Sequence, residues 1–213
     1  MDIVEKYKEY RKIQVGLHNK ILEKCVSKKD FKESTKRLGI YKNNVMVLES
    51  VYEKDVIFDY NTYENIKNGK NSVSAFIELG EETTPQEAEL LAAMQEATTS
   101  LYEVIECQKE NGIILLKDLM GDSDVIFKVI DIGLSETLNE NFLLFTRLVH
   151  LDDFSMTTGL CFIFSINHKQ YLLKRSRRLM KKINSGDSSL DRFIAFFHLN
   201  RSDGEPMKFN EIK

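Results

Sequence analysis

Apolar residues at the head of the chain recur at the spacing of a helix. Ile3, Tyr7, Tyr10, Leu17, Ile21 and Cys25 share one helical face with Lys and Glu between them, which predicts a long amphipathic helix. Ser27 and Asp30 have capping-box spacing, so a second short helix should run to "RLGI", where Gly39 stops it. "NVMVL" is a short β-branched run. Ser50 and Glu53 repeat the capping-box spacing ahead of a helix in "ESVYEKDVIFDYNTYENI"; "KNGKNS" breaks that helix and "SVSAFIEL" begins another. The clearest helix signal is "TTPQEAELLAAMQEA". There Thr84 can cap the free amides, Pro85 suits the first helical position and Glu87 closes the box.

The period changes at Thr98. "SLYEVIECQ", "GIILLKDLM", "DVIFKVID", "FLLFTRLVHL" and "SMTTGLCFIFSI" are short β-rich runs separated by turn-forming segments. Apolar side chains occupy both faces of these runs, so the sheet should curl or be covered by helices. An antiparallel meander or small, partly open barrel follows. From His168 the pattern returns to helix, with a break at "NSGD" before "SSLDRFIAFFHLN". The expected class is α+β, with a mainly helical region over residues 1–97, a β module over 98–166 and C-terminal helices with a polar tail over 167–213.

Composition adds a few exclusions. At 213 residues, 42% hydrophobic and 30% charged, the chain can bury a large core and has the make-up of an ordinary globular protein. Its charged beginning and strand-length apolar runs argue against a signal peptide or membrane span. Cys25, Cys107 and Cys161 are odd in number and far apart, which fits buried thiols in a reducing cytoplasm. With neither a Cys-x-x-Cys nor a His-x-x-x-His spacing, no structural zinc and no cofactor are expected.

The ordered fragments "SLYEVIE", "LKDLM", "IDIG" and "LFTRLVHLDDFSMTTG", with "FDYNTYE", "KNGKNSVSAFIE" and "ELLAAMQEA" upstream, carry a resemblance. Over about residues 47–165 the chain is similar to a bacterial family of uncharacterised proteins, many of which bear a SEC-C zinc motif at one end. The clustered cysteines of that motif have no counterpart here, so its metal-dependent docking does not carry over. The resemblance implies a helical lead-in followed by a β module and names no reaction.

Charge is unevenly spread. The formal net charge is −3, yet residues 154–186 hold seven Lys/Arg and no Asp or Glu, leaving 23 basic and 33 acidic residues elsewhere, a balance of −10. In "YLLKRSRRLMKKIN" a helix would gather Leu172, Leu173, Leu179, Met180 and Ile183 on one side. Lys174, Arg175, Arg177, Arg178, Lys181 and Lys182 would occupy the other. Such a face can engage phosphates, dock an acidic protein, lie on anionic lipid, or simply solvate the helix. Tyr102, Phe127, Phe142 and Phe145 on the expected strands could stack on bases, although strand aromatics belong more often to a core.

Catalytic patterns are sparse. Asp118, Asp122, Asp124, Asp131, Asp152 and Asp153 could hold a divalent cation for phosphoryl chemistry, but turns favour Asp for its backbone hydrogen bonds alone. The four histidines, His18, His150, His168 and His198, have no local partner pattern, and neither a nucleophile elbow nor a phosphate loop is present. The residues therefore favour a non-enzymatic binding or regulatory protein that uses the basic helix, with a protein partner ranked ahead of nucleic acid. A metal-dependent phosphoesterase or nuclease built on the turn aspartates is the alternative.

Overall fold

The computed structural model describes residues 2–64, 69–121 and 124–206. Helix α1 spans Ile3–Cys25 and buries Tyr7, Tyr10, Gln14, Leu17 and Ile21. Helix α2, Lys28–Arg37, starts with the Ser27–Asp30 capping box and is followed by a small hairpin of β1, Tyr41–Lys42, and β2, Val45–Met46. Helix α3, Glu53–Asp59, runs into a π-helical turn, Tyr60–Glu64, whose five residues are all buried. The helices α4, Ser72–Glu78, and α5, Pro85–Gln95, complete the lead-in, and α5 has both halves of the Thr84–Glu87 box.

One expected cap does not form. Tyr52, rather than Ser50, precedes α3 and offers no side-chain cap. The Glu53 carboxylate is instead engaged by Arg201 at 2.7 and 2.8 Å and by the Glu49 amide, because a buried carboxylate gains more from a guanidinium than from one amide.

Among the described residues the β module contains six strands: β3 (Thr98–Gln108), β4 (Ile113–Asp118), β5 (Ile126–Ile130), β6 (Phe142–His150), β7 (Ser155–Thr157) and β8 (Phe162–Ser165). Their order is β3-β4-β5-β7-β6-β8, and an added β3–β6 pairing closes a five-stranded barrel with β8 on the β6 edge. All pairings are antiparallel except β5 with β7, which meet through Val129 and Ser155. A short helix, α6 (Ile132–Thr137), runs into the separator "GLSETLNEN", where the apolar spacing did not announce it; Asp131 caps it. "SMTTGLCFIFSI" holds two strands, β7 and β8, split at Gly159, whose φ of +104° favours a residue without Cβ.

Alternation along β6 explains why both faces are apolar. Leu144 and Leu148 join Tyr102, Val104, Ile114, Leu116 and Val129 in a cluster of the barrel strands. On the other face, Leu143 and Phe145 pack with the C-terminal helices α7 (Lys169–Ile183) and α8 (Ser188–Asp203). There the Phe145 ring stacks on Phe196 with centroids 4.2 Å apart. Farther along that face, Val149 packs with residues of α1, α4 and α5. The barrel wall thus meets two helical clusters, bridged by the Tyr60–Glu64 turn, which gives Tyr60 to one and Tyr63 to the other, and Arg147 lies between the β6 residues that serve them.

Candidate functional site

Helix α7 sorts its side chains cleanly. Leu172 and Ser176 are buried, while Leu173, Leu179, Met180 and Ile183 are half-buried. Leu172, Leu173, Leu179 and Ile183 belong to the cluster that contains Phe193, Phe196 and Phe197 of α8. Lys174, Arg175, Arg177, Arg178, Lys181 and Lys182 are all exposed on the opposite side. The helix is fixed at its start by Lys169, which meets Glu103 of β3 at 2.6 Å, and by Tyr171, which donates to Asp203 at 3.3 Å. Asn184 ends it with a left-handed φ of +47°, a conformation asparagine tolerates.

No described carboxylate lies within ion-pair distance of any of the six exposed cations. Gln170, Leu173, Lys174, Arg177 and Arg178 line a shallow, open furrow of about 520 Å³ along the helix. The surface is therefore cationic, solvated and anchored from below.

The other candidates lie elsewhere. Tyr102 and Phe145 are buried, and Phe127 and Phe142 are partly covered within the core of the barrel strands, so this group forms no exposed stacking platform. The aspartates are scattered through separate structural roles. Asp118 accepts from Ser100 and from the amides of Met120 and Gly121, while Asp124 pairs with Lys117 at 2.8 Å. Asp131 caps α6 and holds Arg11 at 2.9 Å; Asp153 pairs with Lys6 at 2.6 Å, and Asp152 is exposed. Asp122 lies outside the described residues. Among the described residues there is no group of three His, Cys, Asp or Glu side chains placed to hold a metal ion.

A second polar constellation went unanticipated. Arg147, 1% exposed, donates to Asp59 at 3.1 Å, to Glu64 at 2.5 Å and to the Ala97 carbonyl at 3.1 Å. Its guanidinium also lies over the Tyr63 ring, 4.5 Å from the centroid. Thr158 donates to the other Asp59 oxygen, and Ser189 of α8 donates to Glu64. Asp59 and Glu64 are five residues apart, a spacing that an α-helix would turn to different sides. The π-helical turn, with its longer hydrogen-bond reach, allows both to face one guanidinium. Burial works to lower the Arg147 pKa, but the two carboxylates outweigh it and raise it.

The neighbouring residue of "FSMTTG" serves a parallel network. Thr157 donates to Asp131, and Arg11 of α1 reaches Asp131, Thr157 and Gln14. Tyr63 ties the Arg147 network to α1 by hydrogen-bonding His18 at 2.9 Å. Burial first, then the charges of Arg11 and Arg147, push the His18 imidazole down to about 4. A lone arginine inside "FLLFTRLVHL" was the signal for this arrangement, since a charge in a buried strand must find partners.

Three further observations bound the site. The three cysteines form no disulfide, and burial pushes the Cys107 thiol up to about 11, away from nucleophilic use. Arg192 of α8 is half-buried, and burial lowers its pKa. Among the described residues no helix is long and apolar enough to cross a membrane.

These features define an α+β protein with a closed five-stranded barrel and helices at both ends, with a cationic face on α7 that has no carboxylate partner among the described residues. The chain belongs to a family of unknown function (DUF7986), whose model matches residues 1–210, a longer span than the similarity noted above. Comparison with curated proteins and with solved structures finds no match.

Proposed function

We propose that this is a non-enzymatic binding or regulatory protein whose interaction surface is the outer face of α7. One observation carries the reading: the six cations from Lys174 to Lys182 are exposed and have no described carboxylate partner. Arg11, Arg147 and Arg201, by contrast, each hold a carboxylate. Six like charges on one face repel one another, and an anionic partner relieves that repulsion. The anchored underside keeps the charges in place, which lowers the ordering cost of binding. The same reading takes the protein to be cytoplasmic and to need no metal or cofactor.

The test is to recover the wild-type chain and an Arg177→Glu, Arg178→Glu, Lys181→Glu variant from their own cellular host after crosslinking. Material joined to the wild type and missing from the equally folded variant is expected. Identical crosslinked products from both chains would remove α7 from the account.

A further inference from the structure

We infer that the α7 face binds the phosphate backbone of a nucleic-acid duplex without reading its sequence. This rests on the reading of α7 as the interaction surface and names its partner. The sequence alone ranks a protein partner first; charge density and packing reverse that order.

Charge density is the first argument. The six cations lie between Lys174 and Lys182, a helical rise of about 12 Å, or one positive charge per about 2 Å. Duplex DNA presents one phosphate per about 1.7 Å of axis with both strands counted, or about 3.4 Å along each, so a face that meets both strands across a groove finds a charge density close to its own. An extended acidic peptide rises about 3.3 Å per residue and would leave much of the face unneutralised even if every residue were acidic. Arg175, Arg177 and Arg178 add forked donors that can take two phosphate oxygens at once.

Packing supplies the second argument. A helix that lies in a lipid surface must bury its apolar side there. Leu172, Leu173, Leu179 and Ile183 are already committed to the core beneath α7, so that side is unavailable to lipid. Single-strand binders also need exposed aromatic platforms. Tyr102 and Phe145 are buried; of the exposed aromatics among the described residues, Tyr52 and Phe58 lie on or beside α3, and α7 offers the single ring of Tyr171, 46% exposed, rather than a row. What remains is a row of charges suited to a regular, charge-dense backbone. Recognition of bases is not implied, because direct readout needs several side chains aimed at base edges.

Fluorescence anisotropy with a labelled mixed-sequence duplex of about 24 base pairs tests the inference on the full chain. If all six cations meet phosphates, the logarithm of affinity should fall against that of salt with a slope of about −5, costing roughly 10³-fold between about 50 and 200 mM. The triple variant should lose at least half of that slope, whereas Lys28→Glu with Lys29→Glu, exposed at the start of α2, should leave it largely unchanged. A single strand of equal length and vesicles containing phosphatidylserine should bind more weakly. No duplex binding at about 50 mM salt, a slope shallower than about −2, or equal binding by wild type and triple variant would each overturn the inference. Stronger binding to the vesicles or to the single strand would do the same. Alpha7-dependent crosslinked material that survives nuclease would sink the duplex while leaving the surface itself standing.

Discussion

Arg147 and the arginines of α7 bring the same guanidinium into opposite surroundings. On β6 the charge is enclosed, held by Asp59, Glu64 and the Ala97 carbonyl, and covered by the Tyr63 ring. On α7 six cations face outward with no described carboxylate near them. Buried charge must be answered within the fold because desolvation is too costly otherwise. Water answers exposed charge, so the fold places no demand on its partner. The first arrangement therefore speaks to how the barrel and helices are joined, and the second to what the molecule can meet.

The sharpest way to break this comparison is at Arg147. Arg147→Met should destabilise the protein by about 3–5 kcal/mol in urea denaturation, because it strands two buried carboxylates. Adding Asp59→Asn and Glu64→Gln to that variant should recover part of the loss; no recovery would mean that packing, rather than charge, sets the role of Arg147.

Next in size is the response to acid. The folded pKa of His18, about 4, lies below its ordinary value of 6.5, so the unfolded chain takes up the proton first. The contribution is complete above about pH 6.5 and fades as pH falls towards 4, by roughly 2–3 kcal/mol. His18→Gln should flatten this part of the stability profile, and imidazole resonances followed by NMR should titrate well below 6. Titration near 6.5 would show that the ring is not held in the buried place against Tyr63 described above.

A smaller effect is expected in the outer network. Arg11→Met should cost about 1–2 kcal/mol, since Arg11 and Asp131 retain some solvent and water can replace part of the lost bonding. Thr157→Val should cost less, and the two should combine non-additively because both groups bond Asp131. Simple additivity in the double variant would separate them energetically.

The smallest effect on stability belongs to α7, where the comparison is most exposed to failure. Arg177→Glu, Arg178→Glu and Lys181→Glu, taken singly, should each shift unfolding by no more than about 0.5 kcal/mol. A large loss would mean that these residues have structural partners and are not free to serve an external one.

Much of the helical framework was legible because it depends on local chemistry. Ser27–Asp30 and Thr84–Glu87 each form the cap their spacing suggests, since both partners lie within one turn. Ser50–Glu53 fails for a nonlocal reason: Arg201, far along the chain, draws Glu53 away. The face of α7 was legible in the same way as the caps, because the order of residues around a helix follows from its period. Whether that face was already neutralised could not be read from spacing. The partners of Asp131 and the meaning of "FSMTTG" were likewise hidden, as Thr157 and Thr158 serve two different networks.

By itself the sequence determined the α+β class, the major helices, the β-rich runs and the two-sided character of α7. Each follows from propensity, capping or period over a few residues. Tertiary structure decided that the β module closes through β3 and β6, that Arg147 is consumed internally, and that the α7 cations are left to solvent. Those outcomes depend on groups distant in sequence meeting in space, where desolvation and partner geometry select which charges are paired.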